Sequence, residues 1–561
     1  MGADLFETAR AWLAEDPDPS TAAELSALLT RAEAGDSDSA AELADAFDGT
    51  LQFGTAGLRG RLGPGSNRMN RVVVARAAAG LAAYLAAHGG QRIVVGYDAR
   101  RNSDVFARDT ARIMAGANIA ALVLPKALPT PVLAFAIRHL GADAGVMVTA
   151  SHNPPDDNGY KVYLGDGSQI VPPADADISA CIDAVGPMAS IPQSEDYRIL
   201  DDAVLDAYVA RAVSLLGNGS RQVSAVYTAM HGVGGEVFMR TVTEAGFSAP
   251  AKVAAQFDPD GRFPTVNFPN PEEPGAMDLS LADARAQDAD VIIANDPDAD
   301  RCAAGIRYDG DYRMLTGDEV GALLAWWIAE RGRRDGTPVE GVYAQSIVSG
   351  TLLERIAADA GLGYATTLTG FKWISKVPGL RFGYEEALGY CCDPAAVKDK
   401  DGITASLLIL EMVAALKAEG RGPQDVLDDL ARTFGLYSTS QLSVRVSDIS
   451  LIAEAMSRLR ANPPTTLGGR DVVRMDDLEK GIDGLPPTDG LRFTLAGARV
   501  IVRPSGTEPK LKCYLQVVVP VREDGEGDIA DARAQARSEL GAIRASVAAA
   551  LALEDTSAAH P

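Results

Sequence analysis

The chain is poor in cysteine, in basic residues and in long apolar runs, and each shortage closes off a class of function. Its five cysteines (Cys181, Cys302, Cys391, Cys392 and Cys513) include no C-x-x-C pair and no zinc spacing. A sparse, odd-numbered set fits a reducing compartment rather than a disulfide scaffold. Lysine and arginine total 52 against 76 aspartates and glutamates, a formal charge of −24. So acidic a chain is a poor partner for nucleic acid or an anionic membrane, and an anionic substrate has to be met by local clusters of Arg and Lys. Apolar runs such as Ala322–Ala329 fall far short of the ~20 residues that a membrane span requires. The opening M-G-A-D-L-F-E-T-A-R has no basic region followed by an apolar core, so no signal peptide is expected and the location is read as cytoplasmic. No G-x-x-x-x-G-K-[ST] loop is present, which disfavours an ATP-dependent kinase.

What remains is an ordinary globular composition, 47% hydrophobic and 23% charged, in 561 residues, enough for several domains. Residues 1–50 are rich in Ala, Glu and Asp at helical spacing. Residues 71–88 read as a helix stopped by Gly89-Gly90, and R-I-V-V-G-Y-D at 92–98 as a buried strand ending in a turn. Strand-then-turn units recur at 223–235, at 290–301 and from about 341. That alternation predicts parallel α/β units. From about residue 436 the pattern changes to alternating apolar residues (Leu442, Val444, Val446), a turn-rich P-P-T-D-G and a long helical end, which predicts a smaller α+β domain.

Four short segments hold candidate chemistry. In V-M-V-T-A-S-H-N-P-P-D-D-N-G-Y-K at 146–161, Ser151 follows an apolar strand, where open α/β sheets place their reactive groups. His152 is adjacent and Lys161 follows within one loop. A serine needs an activating partner before it counts as a nucleophile, so an ordinary loop serine is the competing reading. In N-D-P-D-A-D-R at 295–301, Asp296, Asp298 and Asp300 alternate. In an extended segment they would point to one side and would need a cation such as Mg²⁺ or Ca²⁺. An EF-hand fails, because Arg301 and Arg307 stand where its Gly and Glu belong, and a solvated acidic turn is the alternative. R-P-S-G-T-E-P-K at 503–510 offers Arg503 for a bidentate grip on phosphate, and Ser505, Gly506 and Thr507 as an anion nest. G-Y-E-E-A-L-G-Y at 383–390 offers carboxylates to sugar hydroxyls or is a charged surface turn.

In this composition and order, these segments resemble the active-site loops of the α-D-phosphohexomutases, the phosphoglucomutase and phosphomannomutase superfamily. The resemblance covers most of residues 50–515, and the D-x-D-x-D-R motif matches at every fixed position. It implies an α/β fold of four-domain architecture, three mixed α/β domains plus a C-terminal α+β domain around a central cleft. The expected divisions are a helical extension at 1–50, then a phosphoserine domain at 51–215, a metal-loop domain at 216–311, a sugar-loop domain at 312–435 and a phosphate-loop domain at 436–561. It also implies that Ser151 carries a phosphate and, with Asp296, Asp298 and Asp300, holds one Mg²⁺ per chain.

Further roles follow from the same likeness. Arg59, from F-G-T-A-G-L-R-G at 53–60, joins Ser151, His152 and Lys161 as catalytic, with His152 and Lys161 the proton-transfer candidates. Substrate binding falls to Thr369, Gly370, Lys372, Glu385, Ala387, Lys400, Arg301, Arg503, Ser505, Gly506 and Thr507. Ala387 stands where the family has a serine, which leaves one sugar contact open. The implied activity is interconversion of sugar 1-phosphate and 6-phosphate, of glucose, mannose or both, through a phosphoserine enzyme and a bisphosphorylated sugar. Small phosphosugars are then the only partners, with a sugar 1,6-bisphosphate as activator, no nucleic acid and no membrane; monomer and dimer both stay open. The Y-T-A-M-H-G-V-G-G block at 227–235, the N-terminal helices and Ala387 resemble the branch with phosphopentomutase-like and bisphosphate-forming members. A phosphopentomutase, a sugar-bisphosphate synthase, a phosphatase or phosphotransferase, and an inactive phosphosugar-binding protein are the alternatives.

Overall fold

A computed structural model describes residues 3–55, 57–446, 448, 450–505, 510–521 and 528–552. The chain forms two compact units. One holds the residues up to Leu315 together with Gly389–Glu419, and the other holds Thr316–Leu388 and the chain from Gly420 on. Residues 389–419, which the sequence reading runs into the third domain, thus belong to the first unit. The likeness at sequence level gives no sign of this return.

The first unit opens with three helices, Ala3–Glu15, Pro19–Glu33 and Ser37–Ala46. Asp18 and Asp36 accept from the backbone amides of Ser20 and Ser39, satisfying amides that a helix start leaves free. Their apolar stripes, with Trp12, Leu25, Leu29 and Leu43, pack together and against Val72. A six-stranded sheet follows, in the order Leu58–Arg61, Asp157–Leu164, Ala144–Val148, Arg92–Tyr97, Ala120–Val123 and Arg198–Ile199. The last four strands are parallel, as the alternation predicts, and Ala144–Val148 is buried throughout. Asp157–Leu164 runs antiparallel to both its neighbours, Leu58–Arg61 and Ala144–Val148. The serine loop is too short for a crossover, so the chain turns straight back. Lys161 therefore stands inside the returning strand, paired with Met147, and not on the loop.

A second sheet repeats this plan. Its order is Asp311–Met314, Ala303–Tyr308, Val291–Ala294, Ala225–Thr228 and Ala251–Lys252. Val291–Ala294 is parallel to Ala225–Thr228, and its successor Ala303–Tyr308 turns back antiparallel. The helix Gly402–Ala418 completes this unit; it is so apolar that nearly every residue is buried.

In the second unit, Val342–Ser346 lies between the parallel strands Gly363–Thr367 and Leu380–Glu385. The helix Gly317–Arg334 begins with a reciprocal cap between Thr316 and Glu319. The chain then builds an antiparallel sheet from Leu436–Arg445, Lys510–Val519, Ala498–Pro504, Leu491–Leu495, Arg470–Asp477 and Thr466–Leu467. Helices Ser450–Ala461 and Asp528–Leu551 contribute to its core. The fold is thus three α/β domains followed by an α+β domain. Among the described residues, no helix is long and apolar enough to cross a membrane.

Candidate active site

The two strand-and-return units of the first unit bring Ser151 and the three aspartates together. Ser151 opens a turn after Ala144–Val148, in the left-handed region at φ 51°, and its amide donates to Thr149 Oγ1 at 2.9 Å. Its hydroxyl donates to Asp296 Oδ2 at 2.7 Å and lies 3.1 Å from His152 Nδ1. Ser151 is itself buried.

The aspartates lie on a tight turn after Val291–Ala294, not on an extended segment. Ala299, at φ 52°, reverses the chain between them. Convergence thus comes from the turn rather than from strand alternation, and one oxygen of each aspartate lies within 4.8 Å of the others. All three are fully buried. Lys161 Nζ, projecting from its strand, donates to Asp298 Oδ2 at 2.7 Å and Asp300 Oδ2 at 3.0 Å. Lys400 Nζ is 3.2 Å from Asp300 Oδ2. The Arg301 amide donates to Asp296 Oδ1 at 3.0 Å, and its guanidinium stands 3.8 Å from Asp296 and Asp300.

These contacts divide the carboxylates electrostatically. Burial and then the charges of Asp298 and Asp300 push the Asp296 carboxyl well above the usual range. Burial also pushes at Asp298 and Asp300, but the cations prevail there. Lys161 holds Asp298 below its ordinary value, and Lys161, Lys400 and Arg301 do the same for Asp300. Lys161 in turn is raised, since the two carboxylates outweigh its burial. Burial lowers Arg59, opposed by Asp298. Arg59 pairs in register with Gly159 and donates to Asn153 Oδ1 at 3.1 Å, on the serine loop.

Asp298 Oδ1 and Asp300 Oδ1 are buried and make no hydrogen bond. Anionic oxygens out of water and without a hydrogen bond are costly, and an all-oxygen donor set suits a hard divalent cation. The residues therefore fit Mg²⁺.

Two residues at this site are not among the candidates read from the sequence. Thr130 donates through Oγ1 to Asp298 Oδ2 at 2.6 Å and through its amide to the Asp298 carbonyl at 2.9 Å. Asp399 accepts from Tyr163 Oη at 2.8 Å, Gln169 Nε2 at 2.7 Å and Lys400 Nζ at 3.3 Å. A Thr-Pro at a helix start and an acidic neighbour to a candidate lysine are signals too common to have singled them out.

The remaining candidates lie in the second unit. Glu385 ends its strand and accepts from the Gly370 amide at 2.7 Å. Thr369 and Gly370 precede the short helix Phe371–Ile374, which holds Lys372. Ala387 sits on the turn after Glu385, beside Glu386, a buried carboxylate accepting from Ser346 and Ser349. Arg503 is half-buried at the end of Ala498–Pro504, and the Ser505 amide donates to the Lys510 carbonyl at 2.8 Å. Gly506 and Thr507 lie outside the described residues.

Comparison with known proteins gives a consistent result. Models of the four phosphoglucomutase/phosphomannomutase domains match in order: α/β/α domain I over 50–187, domain II over 206–309, domain III over 316–434 and the C-terminal domain over 442–526. A protein named probable phosphomannomutase from Haemophilus influenzae is 50% identical over 455 residues, covering 80% of this chain and 92% of its own length. The phosphoribomutase of Saccharomyces cerevisiae is 34% identical, covering 91% of this chain and 92% of its own. The human phosphopentomutase is 33% identical, covering 85% and 87%. The solved structure of a phosphoglucomutase/phosphomannomutase family protein from Burkholderia thailandensis shares the fold at 21% identity, with a TM-score of 0.66 over 89% of this chain and 97% of that one.

Proposed function

We propose that this chain, which belongs to the phosphoglucomutase/phosphomannomutase family and is therefore a phosphosugar mutase, moves its phosphoryl group by way of Ser151. The observation that carries this reading is the buried hydroxyl 2.7 Å from Asp296, in a cluster that leaves Asp298 Oδ1 and Asp300 Oδ1 without a hydrogen bond.

In the first transfer, a hydroxyl of the sugar 1-phosphate attacks phospho-Ser151. The Oγ–P bond breaks, the new O–P bond forms, and the product is a sugar bisphosphate. After the sugar has reoriented, Ser151 Oγ attacks the 1-phosphate, the P–O1 bond breaks, O1 takes back the proton accepted in the first transfer, and the sugar 6-phosphate leaves with Ser151 phosphorylated again. Phosphoryl transfer needs little covalent help and much positioning and charge neutralisation. Asp296, Asp298 and Asp300, with a phosphate oxygen on Ser151, would hold Mg²⁺. That ion would neutralise charge on the transferring group. Lys161 stays protonated between two carboxylates, so its part is electrostatic, with Arg59 and Arg301. His152, 3.1 Å from the hydroxyl, is the proton acceptor in this assignment. Lys400, Glu385, Thr369, Gly370, Lys372 and the Ala387 turn are assigned to the sugar. Arg503, Ser505, Gly506 and Thr507 are assigned to the phosphate that does not react, and a sugar 1,6-bisphosphate to restoring phospho-Ser151. The five free cysteines support a reducing, cytoplasmic setting.

A hexose is the reading favoured by the 50% identity to a probable phosphomannomutase. The relatives named phosphoribomutase and phosphopentomutase, matched over 91% and 85% of this chain, make a pentose the second. The test is one assay of glucose-1-, mannose-1- and ribose-1-phosphate with Mg²⁺ and a trace of the matching bisphosphate. Isomer, bisphosphate and inorganic phosphate are measured together. A mutase forms isomer without consuming the bisphosphate. Steady phosphate release without isomer would reject the mechanism, and stoichiometric bisphosphate would identify a synthase.

A further inference from the structure

Beside the serine loop lies a buried cation that the mechanism above does not use. Arg100 follows Arg92–Tyr97, the strand parallel to Ala144–Val148, so the two turns leave neighbouring strands on the same side. Its Nη2 donates to the carbonyls of Ser151 at 2.6 Å and Asn153 at 2.5 Å. Its Nη1 donates to those of Pro154 at 2.7 Å and Asp157 at 3.1 Å. One guanidinium thus gathers three main-chain oxygens of the loop and that of the first residue of the returning strand.

The guanidinium is itself fixed from behind. Asp98 Oδ1 accepts from the Arg100 amide at 3.0 Å and from Ser103 Oγ at 2.7 Å, and Asp98 Oδ2 stands 3.6 Å from Arg100 Nε. The Phe263 ring covers the guanidinium at 4.8 Å. Gly261 lies so close that a Cβ there would fall 2.7 Å from the Ala99 carbonyl. Arg100 is 4% exposed, and in these contacts it touches none of the three aspartates and not the Ser151 hydroxyl.

We propose that Arg100 is a positioning residue for the phosphoryl carrier. Its hold on the Ser151 carbonyl fixes that residue in the left-handed conformation that aims Oγ at Asp296. A residue other than glycine stays in that region only where its surroundings over-determine it. The serine side chain cannot supply the restraint, because its oxygen has to accept and release a phosphoryl group. A restraint through the carbonyl leaves Oγ free. Only a planar fork with several fixed donors spans oxygens on both sides of the turn. The lysine ammonium is a point donor and does not. The proposal rests on the reading of Ser151 as carrier.

The test compares Arg100→Lys and Phe263→Leu in the full chain, with Ser151→Ala alongside. With glucose-1-phosphate, Mg²⁺ and glucose 1,6-bisphosphate, Arg100→Lys should lower kcat by about 10²-fold, the size expected of a misplaced reacting group, with KM nearly unchanged. Phe263→Leu, which keeps the guanidinium but removes its cover, should give the same split at smaller size. Amide hydrogen exchange should quicken over residues 149–158 in both and stay unchanged in Ala225–Thr228. Unchanged kcat, or a loss of kcat with exchange over 149–158 unaltered, overturns the proposal. So does faster exchange spread evenly over the chain. If Ser151→Ala keeps full turnover, the carrier reading fails instead, and the exchange result alone still decides whether Arg100 holds the loop.

Discussion

The serine loop and the carboxylate loop are built on one plan and supported in opposite ways. Each leaves a parallel strand, places a residue other than glycine in the left-handed region (Ser151 at φ 51°, Ala299 at φ 52°) and returns antiparallel. In the serine loop, a guanidinium holds the main-chain carbonyls. In the carboxylate loop the side chains are pinned by Lys161, Lys400 and Thr130, while a neighbouring turn closes on the backbone. Gly232 packs against Pro297, where a Cβ would come within 2.3 Å of its Cα, and the Val233 amide donates to the Pro297 carbonyl at 2.8 Å. The difference fits the proposed function. A side chain that exchanges a group is best held through its backbone, and side chains that hold a cation are best held at their oxygens.

The largest effect should come from removing the exchanged atom. Ser151→Ala deletes Oγ and leaves the Arg100 contacts to the backbone. Turnover should fall on the order of 10⁴-fold or more, as losses of a nucleophile do, with thermal unfolding nearly unchanged. Intact mass should show one phosphate on purified wild-type protein and none on the variant. Near-normal turnover would break the comparison at its first term, because Ser151 would then be an ordinary loop residue.

Asp298→Asn tests the second loop. The variant keeps the side chain's size and its contacts with Thr130 and Lys161 but lacks one negative charge. Mg²⁺ affinity, read by titration calorimetry, should fall by more than the roughly 10–100-fold that outer contacts of a metal site cost, and excess Mg²⁺ should restore part of the activity. Wild-type activity in excess chelator would make the triad a buried, metal-free turn held by its cations.

Gly232→Ala acts on the same loop from behind. The added Cβ meets backbone atoms of Pro297, which cannot turn aside as a side-chain tip can. We expect a fall in Mg²⁺ affinity within that outer-contact range of about 10–100-fold, with hydrogen exchange over 149–158 unchanged. Faster exchange in both loops would show that they respond as one body and would remove the distinction drawn here.

The two supports differ as much in legibility. Ser151 and the aspartates stand in short runs after apolar strands, so their chemistry is visible in sequence order. Lys161 is visible as a residue but not as a strand position, because that depends on the chain returning antiparallel. Arg100 is not visible at all, since its partners are carbonyls more than fifty positions away, which any residue type supplies. The one trace it leaves is a place on the turn after a strand neighbouring that of Ser151. Gly232 is visible as part of a glycine-rich block, but what it packs against is fixed only by pairing of Ala225–Thr228 with Val291–Ala294. Nor does local sequence pattern mark residues 389–419 for the first unit, because their partners Tyr163, Tyr208 and Arg211 lie far back in the chain.

The smallest effect concerns a buried carboxyl in neither loop, and it separates charge that serves the site from charge the fold merely tolerates. Asp401 caps the helix Gly402–Ala418, accepting at Oδ1 from the amides of Ile403 and Thr404 at 3.0 Å and from Tyr208 Oη at 2.9 Å. Its Oδ2 is buried and makes no hydrogen bond. Burial pushes this carboxyl up to about 6. The folded state then binds the proton more tightly than the unfolded chain, so stability falls as pH rises from about 4 to about 6 and is level beyond. The span amounts to roughly 3 kcal/mol at about 1.4 kcal/mol per pH unit. Asp401→Asn keeps an oxygen for the three donors and cannot ionise. Its new amide, left without a partner, costs about 1–3 kcal/mol, but equally at every pH. Urea unfolding from pH 4 to 7 should therefore show variant stability rising relative to wild type up to pH 6 and then running parallel. Mg²⁺ affinity should be unaltered, in contrast to Asp298→Asn. A difference curve that is flat with pH would show that Asp401 titrates alike in both states, and a change in Mg²⁺ affinity would join it to the carboxylate loop.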